Sequence, residues 1–163
     1  MDYCIRPYRA GEEEYVARAH REVYSAEYHW GESFISYAEK LALSFPARGK
    51  DEGEELWVAE AQGQLLGCIM LCRSDDPDAG QLRLFLVDKE CRGQGVGRAL
   101  TEALLQRARE VGYKRLVLWT ASPLTAAIHQ YEKLGFEQTE RVENTEWSLD
   151  GELLYEIKME LEL

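Results

Sequence analysis

Three glycines at alternate positions, in Arg92-Gly93-Gln94-Gly95-Val96-Gly97, are the residues of this chain whose spacing points most directly to chemistry. A backbone without side chains at every second residue can approach a ligand closely. Val96, Leu100, Ala103, Leu104 and Ala108 then mark the inner stripe of a helix that begins within or just after the glycines. A helix start exposes unpaired N–H groups and the positive end of the macrodipole, so this turn can cradle a phosphate or pyrophosphate. Arg92 and Arg98 add positive charge beside it. Two common nucleotide patterns do not fit. A dinucleotide fingerprint sets its glycines directly after a strand, whereas five residues, Asp88 to Arg92, intervene here. No lysine–serine or lysine–threonine pair completes a P-loop either. A tight turn with no ligand accounts for one or two of the glycines, not for three beside two arginines.

The elements that must hold this turn can be read in chain order. Leu82 to Val87 is almost wholly apolar, as expected for a strand covered on both faces. Before it, Tyr3 to Tyr8 reads as a short strand. Gly11-Glu12-Glu13-Glu14 opens a helix with inner residues Val16, Ala19, His20 and Val23. Tyr24 to Gly31 is dense in aromatic groups. A second helix runs from about Glu32, with Phe34, Tyr37 or Ala38, Leu41 and Phe45 inward. Pro46 to Gly53 reads as a loop, and Leu56–Ala61 and Leu65–Cys72 as a hairpin turning at Gln62-Gly63-Gln64. Ser74 to Gly80 is a surface loop. After the glycine-led helix and Gly112, Lys114 to Thr120 is a strand parallel to Leu82–Val87 by crossover logic. Pro123 to Leu134 is a helix that Ser122 can cap and Gly135 stops. Phe136 to Trp147 is a partly exposed strand. In the last strand Leu153, Tyr155, Ile157, Met159 and Leu161 alternate against Glu152, Leu154, Glu156, Lys158, Glu160 and Glu162. The order is that of an α/β fold with a mixed sheet. With 163 residues and no dividing linker, residues 1–163 are expected to form a single domain.

Composition narrows the partners. A net charge of −11 argues against nucleic acid, whose phosphates require a basic patch. It would suit a cationic amine, but solubility alone accounts for it more simply. No apolar run is long enough to span a membrane, and the first residues have neither the basic start nor the apolar core of a signal peptide, so a cytoplasmic location is expected. Cys4, Cys68, Cys72 and Cys91 form no metal-binding spacing and are expected to be reduced; no metal site is expected.

Arg92 to Gly97 resembles the Q/R-x-x-G-x-G/A signature of the GNAT superfamily of acetyl-CoA-dependent N-acetyltransferases. Ala127-Ile128-His129-Gln130-Tyr131-Glu132-Lys133-Leu134-Gly135-Phe136 resembles that superfamily's second signature, A-x-x-x-Y-x-K-x-G-F. The separation of the two, and the element order, match the family over essentially the whole chain. The resemblance implies the GNAT fold, a mixed sheet splayed around coenzyme A with helices on both faces. Leu118-Trp119-Thr120 and the Tyr24–Trp30 segment look like the acetyltransferase domain that some bacterial proteins fuse to a MarR-type winged helix. No winged helix is present, so DNA binding is not carried over.

What the resemblance implies residue by residue is a donor site and half of a mechanism. Backbone N–H groups of Arg92, Gly93, Gln94, Gly95, Val96, Gly97 and Arg98 would hold the pyrophosphate. Leu86 and Val87 would pair with the pantetheine arm as an added strand does, with Thr125 and Ala127 on its other side. Many members have asparagine seven residues before the tyrosine; here that position is Leu124, and Thr125 or Ser122 would stand in. Tyr131 would protonate the departing thiolate, and a backbone N–H near Val87 would stabilise the oxyanion. The reaction is direct attack of an amine, from a small molecule or a peptide, on the acetyl thioester. Tyr24, Glu27, Tyr28, Trp30 and Trp119 would wall the acceptor site, where aromatic rings can enclose a cation. No carboxylate of Leu82–Val87 supplies a base. Glu27, His29 and Glu32 are candidates, while His20 and His29 fit ordinary structural roles at least as well. The competing class is a non-catalytic acyl-CoA-binding or interaction module. The resemblance leaves room for a homodimer.

Overall fold

The structure is a computed structural model that describes residues 1–48 and 51–163. Its elements are β1 (Cys4–Pro7), α1 (Glu13–Ala26), α2 (Glu32–Arg48), β2 (Glu55–Ala61), β3 (Gln64–Arg73), β4 (Ala79–Val87), α3 (Val96–Val111), β5 (Arg115–Ala121), α4 (Thr125–Lys133), β6 (Glu137–Asn144) and β7 (Leu154–Glu162). Seven strands form one sheet in the order β1-β2-β3-β4-β5-β7-β6. Every neighbouring pair is antiparallel except β4 and β5, the pair joined through α3. The expected α/β fold with a mixed sheet is the one observed.

Strand alternation sends the core in two directions. On β3, Ile69 and Leu71 pack toward α3 with Leu100, Leu104 and Ala108. Cys68, Met70 and Cys72 pack toward α1 and α2 with Val16, Ile35, Ala42 and Phe45. Helices therefore cover both faces, and the central strands read as apolar runs because neither face meets water. Tyr131 and Phe136 belong to the α3 side, Tyr24 and Trp30 to the α1 side. All four cysteines are free thiols.

Several local expectations differ from the structure. Pro46 lies inside α2, near its C-terminal end, rather than opening a loop; the remainder of that expected loop includes Gly49 and Lys50, which lie outside the described residues. β4 begins at Ala79, because Gly80 and Gln81 pair with β5, so the preceding loop is shorter than Ser74–Gly80. α4 begins at Thr125, and Ser122 does not cap it. Ser122 Oγ accepts instead from the Tyr155 N–H at 3.0 Å, tying the end of β5 to β7. On α2, Ala38 is the inward residue and Tyr37 is exposed. Leu153 is exposed before β7 starts, while Leu154 is buried against the α1–α2 side. Both faces of β7 are covered at that point, so simple alternation of apolar and charged residues does not apply.

Candidate active site

The site begins where the sheet opens. β4 and β5 pair only from Ala79 to Gln81 and from Arg115 to Val117. Beyond those pairs β4 continues to Val87 and β5 to Ala121 without bonding to each other. A bulge on the other edge of β4 accompanies this parting. Cys68 pairs with Leu86 and Met70 with Arg83, so Leu84 and Phe85 face the single residue Ile69. Leu84 has φ 50°, a left-handed conformation that costs an L-residue about 1–2 kcal/mol. The Cys68 thiol donates to the Leu84 carbonyl at 3.2 Å. The bulge also reverses the facing of the strand. Leu82 packs toward α3, Leu84 and Leu86 toward α1, and Phe85 toward Tyr131. The parted strands frame a cavity of about 700 Å³ that reaches from the glycine turn to the aromatic wall.

At one end the backbone makes the site. Gly93 and Gly95 have φ 79° and 85°, and Gly95 caps α3 in the left-handed conformation. None of the N–H groups from Gly93 to Arg98 donates to a backbone carbonyl among the described residues; the first helical bond is Ala99 N–H to Gly95 O at 3.0 Å. Such a run of free donors at a helix start can cradle an anion. A Cβ on Gly97 would stand 3.1 Å from both Phe85 Cζ and Gln130 Oε1, so glycine lets α3 close on β4 and α4 there. The arginines contribute less than their positions promise. Arg92 forms a two-pronged ion pair with Glu27, at 2.9 and 3.0 Å, and its Nε donates to Val87 O at 3.1 Å. Arg98 pairs with Glu102 along the exposed side of α3.

In the middle of the cavity stands Tyr131. Its ring lies between Phe85 and Phe136, at centroid distances of 6.0 and 5.8 Å. Gly135, at φ 102°, ends α4 and brings the Phe136 N–H back to the Tyr131 carbonyl at 3.0 Å. The Tyr131 hydroxyl has no partner among the described residues. Burial, and secondarily Tyr24, push its pKa above the ordinary tyrosine range, so it keeps its proton at neutral pH. A neutral, unengaged hydroxyl lining a cavity has a proton it can donate.

The other end is built from side chains distant in sequence. Tyr24 and Trp30 stack at 5.1 Å and 10°. Phe34 and Trp147 stand 4.8 and 5.2 Å from Trp30. A bridge from Trp30 to Ser148 ties the α1–α2 connection to the segment between β6 and β7. Arg83, the one charge of β4, donates to the Tyr37 hydroxyl from within the cavity wall.

A sequence model of the acetyltransferase (GNAT) family matches residues 14–136. The chain belongs to that family. Human N-acetyltransferase 8B is 40% identical over 91 residues, which are 53% of this chain and 40% of that protein. The chain spans about half the length, or less, of the curated relatives it matches. Among solved structures, a GNAT acetyltransferase from Streptococcus pneumoniae aligns with a TM-score of 0.81 over 99% of this chain and 100% of that one, at 20% identity. yncA from Salmonella typhimurium, solved with its cofactor acetyl-CoA, aligns with a TM-score of 0.80 at 22% identity, over 99% of this chain and 94% of that one. These likenesses show the fold: the parted β4 and β5 and the glycine-led α3 are those of a GNAT sheet.

Within this GNAT sheet the residues singled out from the sequence divide into three groups. Leu86, Val87, Arg92, Gly93, Gly97, Ala127 and Tyr131 line the cavity, as do Tyr24, Tyr28, Trp30 and Trp119. Gln94, Gly95, Val96 and Arg98 complete the turn and the first turn of α3, with the Val96 side chain in the core. Thr125, Glu27, Glu32 and His29 lie elsewhere. Thr125 is exposed at the start of α4. Glu27 faces a separate hollow beside Asp88 and is held by Arg92. Glu32 sits on the surface with Arg21, whose hydrogen bond takes its pKa down to about 2. His29 is exposed at φ 54°. Phe85, Gln130, Phe34, Trp147 and His20 also line the cavity and were not picked out as site residues. Gln130 precedes Tyr131 and could have been inferred from the helix face; Trp147 carries no local signal at all.

Proposed function

We propose that this GNAT chain transfers an acetyl group from acetyl-CoA to an amine of a small molecule or protein by direct attack. The observation that carries this reading is the juxtaposition, in one seam, of the free N–H run Gly93–Arg98 with the unengaged Tyr131 hydroxyl. The N–H run suits a pyrophosphate. The unpaired edge of β4 from Leu86 to Val87 suits an extended amide-bearing arm, and a cavity of about 700 Å³ has room for it. Acetyl-CoA supplies an activated thioester. The protein's part is to hold the two reactants in line, to place N–H donors at the developing oxyanion near Val87, and to give sulfur a proton from Tyr131.

The acceptor end supports a hydrophobic or aromatic neighbour to the reacting nitrogen, enclosed by Tyr24, Tyr28, Trp30 and Trp119. The finer form of this reading is a bacterial, cytoplasmic domain like those fused to MarR-type winged helices, acting as a single unit over residues 1–163 and as a homodimer. The Tyr24–Trp30 run and Leu118-Trp119-Thr120 support the first part. Incubating the protein with acetyl-CoA and a panel of small-molecule and peptide amines, with free thiol as readout, tests the activity. Thiol release that depends on an amine is expected. Tight acetyl-CoA binding with no release on any amine would overturn it in favour of a non-catalytic acyl-CoA-binding module.

A further inference from the structure

The reaction proposed above lacks a proton acceptor, and the structure narrows the choice. Glu27 is bound by Arg92, Glu32 by Arg21, and His29 is exposed outside the cavity. Among the described residues, the groups that line the cavity and can accept a proton at neutral pH are His20 and Glu156. Glu156 is a strand residue of β7 already accepting from Asn144 Nδ2 at 3.2 Å. His20 is 2% exposed and comes from the inner face of α1. Its Nδ1 lies 2.8 Å from the Val16 carbonyl. A carbonyl can only accept, so Nδ1 carries the ring proton and Nε2 is a bare lone pair. Nε2 makes no hydrogen bond among the described residues, and it is not one of the sealed, orphaned polar atoms. His20 lines the cavity, where that lone pair is left without a protein partner.

We propose that His20 Nε2 is the proton acceptor of this site, working in one circuit with Tyr24 and Tyr131; this rests on the acetyltransfer reading. The Tyr24 ring lies 5.8 Å from that of His20, and Tyr24 and Tyr131 line the same cavity. The acceptor enters as a neutral amine. Its nitrogen forms a bond to the thioester carbonyl carbon, and the carbonyl electron pair moves onto oxygen. The positively charged nitrogen of that intermediate is far more acidic than the parent ammonium, so a weak base suffices to take its proton. His20 Nε2 accepts it. The C–S bond then breaks as the oxygen pair returns, and Tyr131 gives its proton to the thiolate. The proton on His20 passes to Tyr131 by way of the Tyr24 hydroxyl and cavity water. One amine and one thioester become one amide and one thiol, with no proton gained or lost.

Burial takes the His20 pKa down to about 4, opposed only by the Val16 hydrogen bond, so the ring is neutral over the working range. The other ionisable groups around the cavity are Tyr24 of α1, Tyr28 of the α1–α2 connection, Tyr37 of α2, Arg83 of β4, Cys91 and Arg92 of the following turn, Tyr131 of α4 and Glu156 of β7. None of them contributes to that displacement.

Two measurements decide the matter. The first needs no turnover. Nitrogen NMR of the whole protein, with the three histidines assigned by His29→Asn and His129→Asn, reads the His20 tautomer at pH 7. Protonated Nδ1 and bare Nε2 are expected; an Nε2–H tautomer or an imidazolium overturns the proposal. The second compares His20→Asn, His20→Gln and Glu156→Gln on an amine that the wild type acetylates. Both His20 variants should lose roughly 10²-fold in kcat, with the KM for acetyl-CoA within twofold and the acidic limb of the kcat profile removed. Full activity in a folded His20 variant, or the 10²-fold loss appearing in Glu156→Gln instead, overturns it. If the wild type acetylates no amine, the acetyltransfer reading itself fails, and the proposal falls with it.

Discussion

The two ends of the cavity are made in different ways. The end at the glycine turn is built by backbone: free N–H groups from one continuous stretch, Gly93 to Arg98, at the start of α3. The end at the aromatic wall is built by side chains from α1, α2, β5 and the β6–β7 connection, locked by ring packing around Trp30. A backbone cradle depends on a few φ angles and tolerates change in the side chains around it. A side-chain wall depends on tertiary packing and varies with every residue that contributes. Under the proposed acetyl transfer, the donor would therefore be held mainly by backbone, and the choice of acceptor would rest on packing.

Substitutions should separate the two ends. The largest effect is expected at Trp30→Ala, which empties the centre of the wall. A fully buried aromatic truncated to alanine loses about 3–5 kcal/mol of stability, read by denaturant unfolding. Protein that stays folded should bind acetyl-CoA within twofold of wild type; a large loss of donor affinity would break the division between the ends.

Next is the pH dependence carried by His20. Its pKa is 6.5 unfolded and about 4 folded, so between these values the unfolded chain binds more protons. The contribution to stability is fully present above pH 6.5 and is lost as pH falls toward 4, by about 3 kcal/mol. Thermal unfolding of the wild type and His20→Gln over pH 4–7 should show the two curves converging on the acid side. Parallel curves would mean that His20 is not buried neutral.

Tyr131→Phe removes one oxygen between the ends. A loss of about 10²-fold in kcat, with acetyl-CoA affinity unchanged, is expected for a general acid, read by thiol release. Undiminished kcat would leave the hydroxyl without a role. Smaller still is Gly95→Glu, which strains a left-handed position and sets an anion in the cradle. About a tenfold loss of acetyl-CoA affinity by calorimetry is expected, with the aromatic wall's near-ultraviolet signal intact.

How much was legible in the sequence follows the same division. The glycine spacing and the helix stripe are local, so the turn, the helix after it and the order of elements could be read from the chain alone, while Tyr131 was singled out only through the resemblance of its signature. The wall was read only in part. Tyr24, Tyr28 and Trp30 are neighbours in sequence and line the cavity, whereas Trp147 and Arg83 reach it through tertiary packing. The bulge at Leu84 had no signal, since neither glycine nor a turn residue marks it. Its consequence, the reversal that sends Phe85 toward Tyr131, was invisible for the same reason. Arg92 read as a phosphate ligand because its charge is visible in sequence while Glu27, its partner 65 residues away, is not an evident neighbour. Glu27 is drawn out of the candidate base set by the same ion pair.

The claim on which the rest depends is that Gly93–Arg98 is the anion cradle. Amide NMR during titration with coenzyme A tests it directly. The N–H signals of Gly93 through Arg98 should shift together and saturate at one affinity, while those of Glu32 and Ser33 beside the aromatic wall move little. Saturable binding that leaves the Gly93–Arg98 signals in place would contradict it.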